Sequence, residues 1–140
     1  MVFLLRKCPQ VWTIEFLSKV TEKLHSKGYL ITYSSSAAVR KTLRNLGLEI
    51  FTIKPTFKNR TFWSQGTVAI SKFDKDELKA NFKFEKLSLM EEEHLLTKAS
   101  IPYRDQDLNS SKNDIIRRRL NEQSFSNLLS TNKWREKWGM

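Results

Sequence analysis

The residues best suited to chemistry in this chain are Thr32, Tyr33, Ser34, Ser35 and Ser36, five hydroxyl-bearing side chains in one unbroken run. They follow an apolar, strand-like segment and precede a helix-like one. In open α/β sheets, ligands sit beyond the carboxyl ends of the strands, which is where such a turn falls. A second cluster lies at 54–64, KPTFKNRTFWS, where Lys54, Lys58 and Arg60 interleave with Phe57, Phe62 and Trp63. Cations for phosphate and aromatic faces for bases are what RNA-binding surfaces combine. The same aromatics could instead pack inward beneath a hairpin, and spacing leaves both readings open. Nothing resembles a catalytic set: His25 and His94 are isolated, and Cys8 has no nearby histidine. A zinc site would need four ligands, so no metal is expected. Glycines 28, 47, 66 and 139 are single, which excludes a glycine-rich phosphate loop. Glu91-Glu92-Glu93 reads as a solvated helix start.

Positioning the hydroxyl turn falls to the segment 28–53. Tyr29-Leu30-Ile31-Thr32 is β-rich and apolar, as strands buried in a parallel sheet are. Ser36 is a candidate N-cap for a helix with Val39, Leu43 and Leu46 at i, i+4 and i+7. Gly47 is placed to end it in a left-handed turn. Leu48 to Ile53 alternates as the next strand, and a helix between two strands is the crossover that parallel strands require. Before this unit, Val2-Phe3-Leu4-Leu5 reads as a short strand, and Pro9 marks a loop. Thr13 is expected to cap a helix from Ile14 to about His25. After it, 66–70 reads as a strand returning antiparallel through the eleven-residue connection 54–64.

The rest of the chain changes character. Residues 74–86 are charged and aperiodic, a linker by pattern. Helices are expected at 88–99, capped by Ser88, at 113–124 with Arg117-Arg118-Arg119, and at 132–138 with Trp134 and Trp138 at i, i+4. This polar tail is expected to wrap the sheet rather than fold alone. The domain reading is therefore an α/β unit over 1–73, a linker over 74–86 and a helical extension over 87–140.

At 140 residues, 39% hydrophobic and a mean hydropathy of −0.51, the composition is that of one globular domain. No apolar run approaches the roughly twenty residues of a membrane helix, so no membrane partner is expected. The single cysteine excludes an internal disulfide and suits a reducing cytoplasm. Up to Phe73 there are twelve Lys/Arg against three acids, a net of +9; from Asp74 on, thirteen stand against twelve, a net of +1. One-sided basicity favours a polyanionic partner, nucleic acid above all.

The segments CPQVWTIEFLSKV and GYLITYSSSAAVRKTLRNLGLEI resemble the C-terminal half of the MnmC-like methyltransferase domain. Pro9, Trp12 and Thr13 match that family's Pro-x-x-Trp-(Thr/Ser) loop. Thr32, Tyr33, Ala37, Val39 and Arg40 match its Thr-(Tyr/Phe)-x-x-x-(Ala/Gly)-x-Val-Arg turn. The tail LSLMEEEHLLTKASIPYRD resembles the extension of stand-alone members that lack the fused flavin oxidoreductase domain. The fold implied is α/β, the last strands of a Rossmann-like class I methyltransferase sheet of order 3-2-1-4-5-7-6, followed by a helical tail. The activity implied is S-adenosylmethionine-dependent methylation of 5-aminomethyluridine at the wobble position of tRNA.

The resemblance also defines what this sequence lacks. The family's glycine-rich cofactor loop and ribose-binding acid have no counterpart, and Met1 stands where its proposed catalytic Asp belongs. An incomplete enzyme, inactive by itself, is the expectation, with a second chain as one source of the missing half. On the substrate side, Trp12, Thr32, Tyr33, Ser34, Ser35 and Arg40 are the expected substrate contacts. Lys54, Lys58, Arg60 and Trp63 are the expected RNA contacts, with Arg40 reaching phosphate alongside the basic loop. Two other readings stand beside this one, a non-enzymatic basic RNA-binding module and a structural remnant.

Overall fold

The computed structural model describes residues 2–53, 65–71 and 84–140. Helix α1 (Val2–Lys7) leads through a 3-10 turn at Pro9–Trp12 into α2 (Ile14–Glu22). Strand β1 (Tyr29–Thr32), helix α3 (Ala37–Asn45) and strand β2 (Leu48–Ile53) follow, then strands β3 (Thr67–Ser71) and β4 (Phe84–Lys86). The tail holds α4 (Leu89–His94), a 3-10 turn at Lys98–Ser100, α5 (Lys112–Phe125) and α6 (Thr131–Trp138).

The four strands form one sheet in the order β1-β3-β2-β4, and with the helices around it the architecture is mixed α/β. β3 runs antiparallel to both β1 and β2, with Ile31 opposite Val68 and Ile50 opposite Ala69. β1 and β2 therefore point the same way, as a helical crossover requires, but they are not neighbours. β3 is inserted between them, the arrangement that the order 5-7-6 demands. Alternation along β2 and β3 sorts their side chains. Ile50 and Ala69 join Leu5, Leu17, Val39, Leu43, Leu95 and Ile115 in the main core. Phe51, Val68 and Ile70 form a second cluster, where Phe84 meets Phe51 edge-on at 5.0 Å.

The hydroxyl turn owes its position to α3. Val39 and Leu43 are at most 1% exposed on the sheet-facing side of that helix, and Gly47 closes it at φ 93°. Ser36 occupies the N-cap, yet its side chain makes no capping bond. Thr13 does cap α2, its Oγ1 accepting from the backbone N–H of Phe16 at 3.2 Å.

Five expectations are corrected. Tyr29–Thr32 is not buried on both faces of a parallel sheet: it ends the strand order, pairs antiparallel with β3, and leaves Tyr29 and Ile31 exposed. Val2-Phe3-Leu4-Leu5 lies in a helix, not a strand; so short an apolar run has no period that separates the two. Helix α2 stops at Glu22, short of His25. The helix expected over 88–99 breaks after His94. Buried Thr97 diverts the backbone there, its hydroxyl donating to the His94 carbonyl at 2.8 Å and accepting from Ala99 N at 3.2 Å, the local competition that ends helices. Phe84–Lys86, inside the expected linker, pairs with β2 as a fourth strand.

The tail is bound to the sheet unit at several points. The backbone N–H of Ile14 donates to the Tyr103 carbonyl at 3.0 Å, and that of Asp105 donates to Glu15 Oε2 at 2.8 Å. Arg44 holds Glu92 in a two-pronged pair at 2.7 and 2.8 Å. A buried tie joins them as well: Arg40, 2% exposed, meets Glu91, 7% exposed, at 2.9 Å.

Candidate functional site

At the carboxyl end of β1 the turn is held by its own hydroxyls. Thr32 Oγ1 accepts from Ser34 N at 3.1 Å, and Ser34 Oγ accepts from Ser36 N at 3.3 Å. A longer relay fixes the turn from below. Arg40 Nε donates to Thr67 Oγ1 at 2.8 Å, and Thr67 Oγ1 donates to the Ser34 carbonyl at 2.6 Å. The remaining Arg40 nitrogens donate to Glu91 Oε1, to the Gly66 carbonyl at 3.0 Å and to Thr52 Oγ1. Arg40 thus spans α3, β2, β3 and α4 beneath the turn.

Above the turn lies a cleft of about 670 Å³, within the size range of small-molecule sites. Ser35, Ser36 and Ala37 form one wall, so the positive end of the α3 dipole faces it. Arg6 of α1, Arg119 of α5 and Arg135 of α6 line it, together with Gln123, Asn132 and His94. No Asp or Glu is among the lining residues.

Each of these groups is positioned by the packing around it. Ile115, fully buried, seats α5, and one turn on Arg119 turns inward. Arg119 donates to the carbonyls of Ile101 and Ala99 at 2.7 and 3.0 Å and lies 4.5 Å from the centre of the Tyr103 ring. Burial lowers its pKa, and the charge of Arg6 lowers it further. Trp134, 1% exposed, anchors α6 and donates from Nε1 to the Met90 carbonyl at 3.1 Å. His94 stacks on that indole at 4.2 Å. Burial, then the charges of Arg40 and Arg135, bring the His94 pKa down to about 4, so the imidazole is neutral at physiological pH.

The expected site residues separate. Ser35 lines the cleft. Thr32 and Ser34 shape the turn without lining it, Ser34 being buried. Tyr33, 86% exposed, points to solvent, and Trp12 packs against the core. Arg40 is the clear correction: its nitrogens are taken up by protein acceptors and it is sealed from any phosphate. Glu91 is likewise no solvated helix start but the buried partner of Arg40. Lys54, Lys58, Arg60 and Trp63 lie outside the described residues.

Spacing does not single out Arg6, Arg119 or Arg135. One signal is present for Arg119, which follows Ile115 at i+4 and so shares its inward face. Among the described residues no group of three or more metal-ligating side chains occurs, and no helix is long and apolar enough to cross a membrane.

Comparison with known proteins points to the same family. Residues 3–69 match a family described as S-adenosyl-L-methionine-dependent methyltransferase. The fold is similar to the crystal structure of MnmC2 from Aquifex aeolicus, with a TM-score of 0.69 and 29% sequence identity. The match covers 83% of this chain and 34% of that one, so the chain spans about a third of the length of that structure. No curated protein sequence matches significantly.

Proposed function

We propose, from the premise that residues 3–69 carry part of an MnmC-like S-adenosyl-L-methionine-dependent methyltransferase domain, that this chain forms the substrate side of a tRNA-modifying methyltransferase. The nucleoside it serves is 5-aminomethyluridine at the wobble position, the acceptor that the family resemblance implies, and its compartment is the cytoplasm. The observation carrying this reading is the position and charge of the cleft. It opens at the carboxyl end of β1, as ligand sites of such sheets do, and three arginines line it with no Asp or Glu among the lining residues.

The cofactor supplies the methyl group when bound, but these residues do not fit it. S-adenosylmethionine carries a sulfonium and an ammonium against a single carboxylate, a net positive charge that a cleft lined by Arg6, Arg119 and Arg135 repels. No acid in the cleft can take a ribose diol, and all four glycines are single, which leaves no cradle for the nucleoside. What this chain's residues do is bind the anionic phosphates flanking the acceptor nucleoside, and so hold its amine at a fixed place for transfer. Orientation of that kind supplies much of the rate in such reactions. The chain by itself binds tRNA and transfers no methyl group. A polypeptide carrying the glycine-rich loop and the acid would complete the enzyme.

The test gives the 140-residue chain under-modified tRNA and methyl-labelled S-adenosylmethionine, with tRNA binding measured separately. Expected are binding of tRNA and no label transferred. Label in the tRNA would overturn the proposed inactivity, and absence of tRNA binding would overturn the substrate-side reading.

A further inference from the structure

We infer that Arg6, Arg119 and Arg135 form a phosphodiester grip, in which the C-terminal tail supplies two of the three cations that seat an RNA strand in the cleft. The inference rests on the substrate-side reading above and names the group recognised and the residues that recognise it. Three observations carry it.

First, the cations of the cleft have no direct ion pair. Among the described residues none of the three guanidiniums has a carboxylate within ion-pairing distance. Glu122, the acid nearest Arg119 in sequence, is bound by Arg104 at 2.9 Å. Elsewhere on the tail arginines and acids do pair, as Arg117 does with Asp114 and Arg104 with Glu122. Three cations gathered in one concavity with no Asp or Glu lining it focus a positive field on whatever enters it.

Second, the donors have unused capacity. Arg119 commits Nε and one Nη2 hydrogen to the carbonyls of Ile101 and Ala99, and these bonds fix its plane while Nη1 is left over. Arg6 and Arg135 make no side-chain hydrogen bond within the described fold. A pre-oriented guanidinium beside two adaptable ones suits a tetrahedral phosphodiester, which arginine holds with paired N–H groups.

Third, the opposite wall complements the grip. Ser35, Ser36 and Ala37 line the same space, so the positive end of α3 faces it. The His94 imidazole, neutral and stacked on Trp134, adds no acid to the cleft. Between these walls, about 670 Å³ accommodates a nucleotide together with its flanking phosphate.

The test uses the full chain and a fluorescein-labelled anticodon-type RNA stem-loop, with anisotropy titrations at several salt concentrations. Arg6→Gln and Arg135→Gln, singly and together, remove charges that make no side-chain bond inside the described fold. Arg117→Gln with Arg118→Gln removes the same charge from the exposed side of α5. The cleft pair is expected to lower affinity by roughly tenfold or more. It should also reduce the slope of log K against log salt by about 0.7 for each phosphate no longer neutralised. The control pair should change affinity by no more than about twofold, as rim charges screened by salt do. If the wild-type chain binds the RNA and the cleft pair weakens it no more than the control pair, the grip is refuted while the substrate-side reading stands. If the wild-type chain fails to bind the RNA, both fall together.

Discussion

Removing Glu91 should release the tail from the sheet. Glu91 as a whole is 7% exposed, and its Oε1 accepts from Arg40 Nη1 at 2.9 Å and from Thr52 Oγ1 at 3.0 Å. Oε2 accepts from the Ser88 backbone N–H at 2.9 Å, closing the capping box of α4. Glu91→Ala therefore leaves the Arg40 guanidinium, 2% exposed, without its counter-charge. Deleting one partner of a buried pair costs about 3–5 kcal/mol. At a urea m-value near 2 kcal/mol per M, the unfolding midpoint should drop by about 2 M. The pair Arg40→Met with Glu91→Leu should recover much of that loss, because apolar replacement of a whole buried pair is often neutral. Acid should act as the mutation does. Burial works to raise the Glu91 pKa, but the Ser88 hydrogen bond and the Arg40 charge and hydrogen bond outweigh it and lower it below 4.5. A carboxylate held below its unfolded value stabilises above that value and loses the contribution as pH falls through the folded one. Wild-type stability should fall from about pH 4.5 downward, and Glu91→Gln should flatten that limb. A Glu91→Ala midpoint within roughly 0.5 M of wild type in urea would refute the view that this pair fastens α4 to the sheet.

His94 predicts a separate pH limb. With its folded pKa down at about 4 against the ordinary 6.5, protonation favours the unfolded chain, so stability is complete above pH 6.5 and erodes between 6.5 and 4. The full loss is on the order of 3 kcal/mol, of which about 2 kcal/mol falls between pH 6.5 and pH 5, and His94→Phe should abolish it in thermal melts compared at pH 7 and pH 5. Gly66→Ala should disturb the junction of β1 and β3, since an added Cβ would stand 2.3 Å from the Thr32 carbonyl oxygen, a backbone atom without freedom to retreat. The cost should be about 1–3 kcal/mol or more. It is measured by urea unfolding, and a change under roughly 0.5 kcal/mol would show that the turn has slack.

Much of the sheet unit is legible because its signals are local. Val39 and Leu43 at i, i+4, Gly47 after them, and the alternation of Leu48 to Ile53 each express a constraint that neighbouring residues satisfy. What stays hidden depends on partners distant in sequence. Nothing near Arg40 reveals that its acceptors sit at 52, 66, 67 and 91, so an arginine beside a hydroxyl turn reads as a ligand contact. Glu91 is hidden for the same reason, since a run of three acids at a helix start looks solvated until one of them meets a buried cation. Phe84–Lys86 is three residues long, too short to carry a period, and becomes a strand only because β2 offers it an edge. Residues 2–5 mislead in the opposite way, by being apolar enough to suit either a strand or the helix they form.

Counting charges by segment also misplaces the site's electrostatics. The first 73 residues hold nearly all of the net positive charge, and the tail is almost neutral. Yet two of the three arginines on the cleft come from that tail. Neutrality there is only a count: Glu91 and Glu92 are bound by Arg40 and Arg44 of the sheet unit, and Glu93 and Glu122 by the tail's own Lys137 and Arg104. Subtracting those acids, which face the sheet or neighbouring tail elements, leaves Arg119 and Arg135 without a direct ion pair on the inner surface. The same pairs that fasten the tail to α3 therefore set these cations over the hydroxyl turn. Docking and charge placement are one event, so weakening Arg40–Glu91 should reduce RNA affinity even though neither residue can touch RNA.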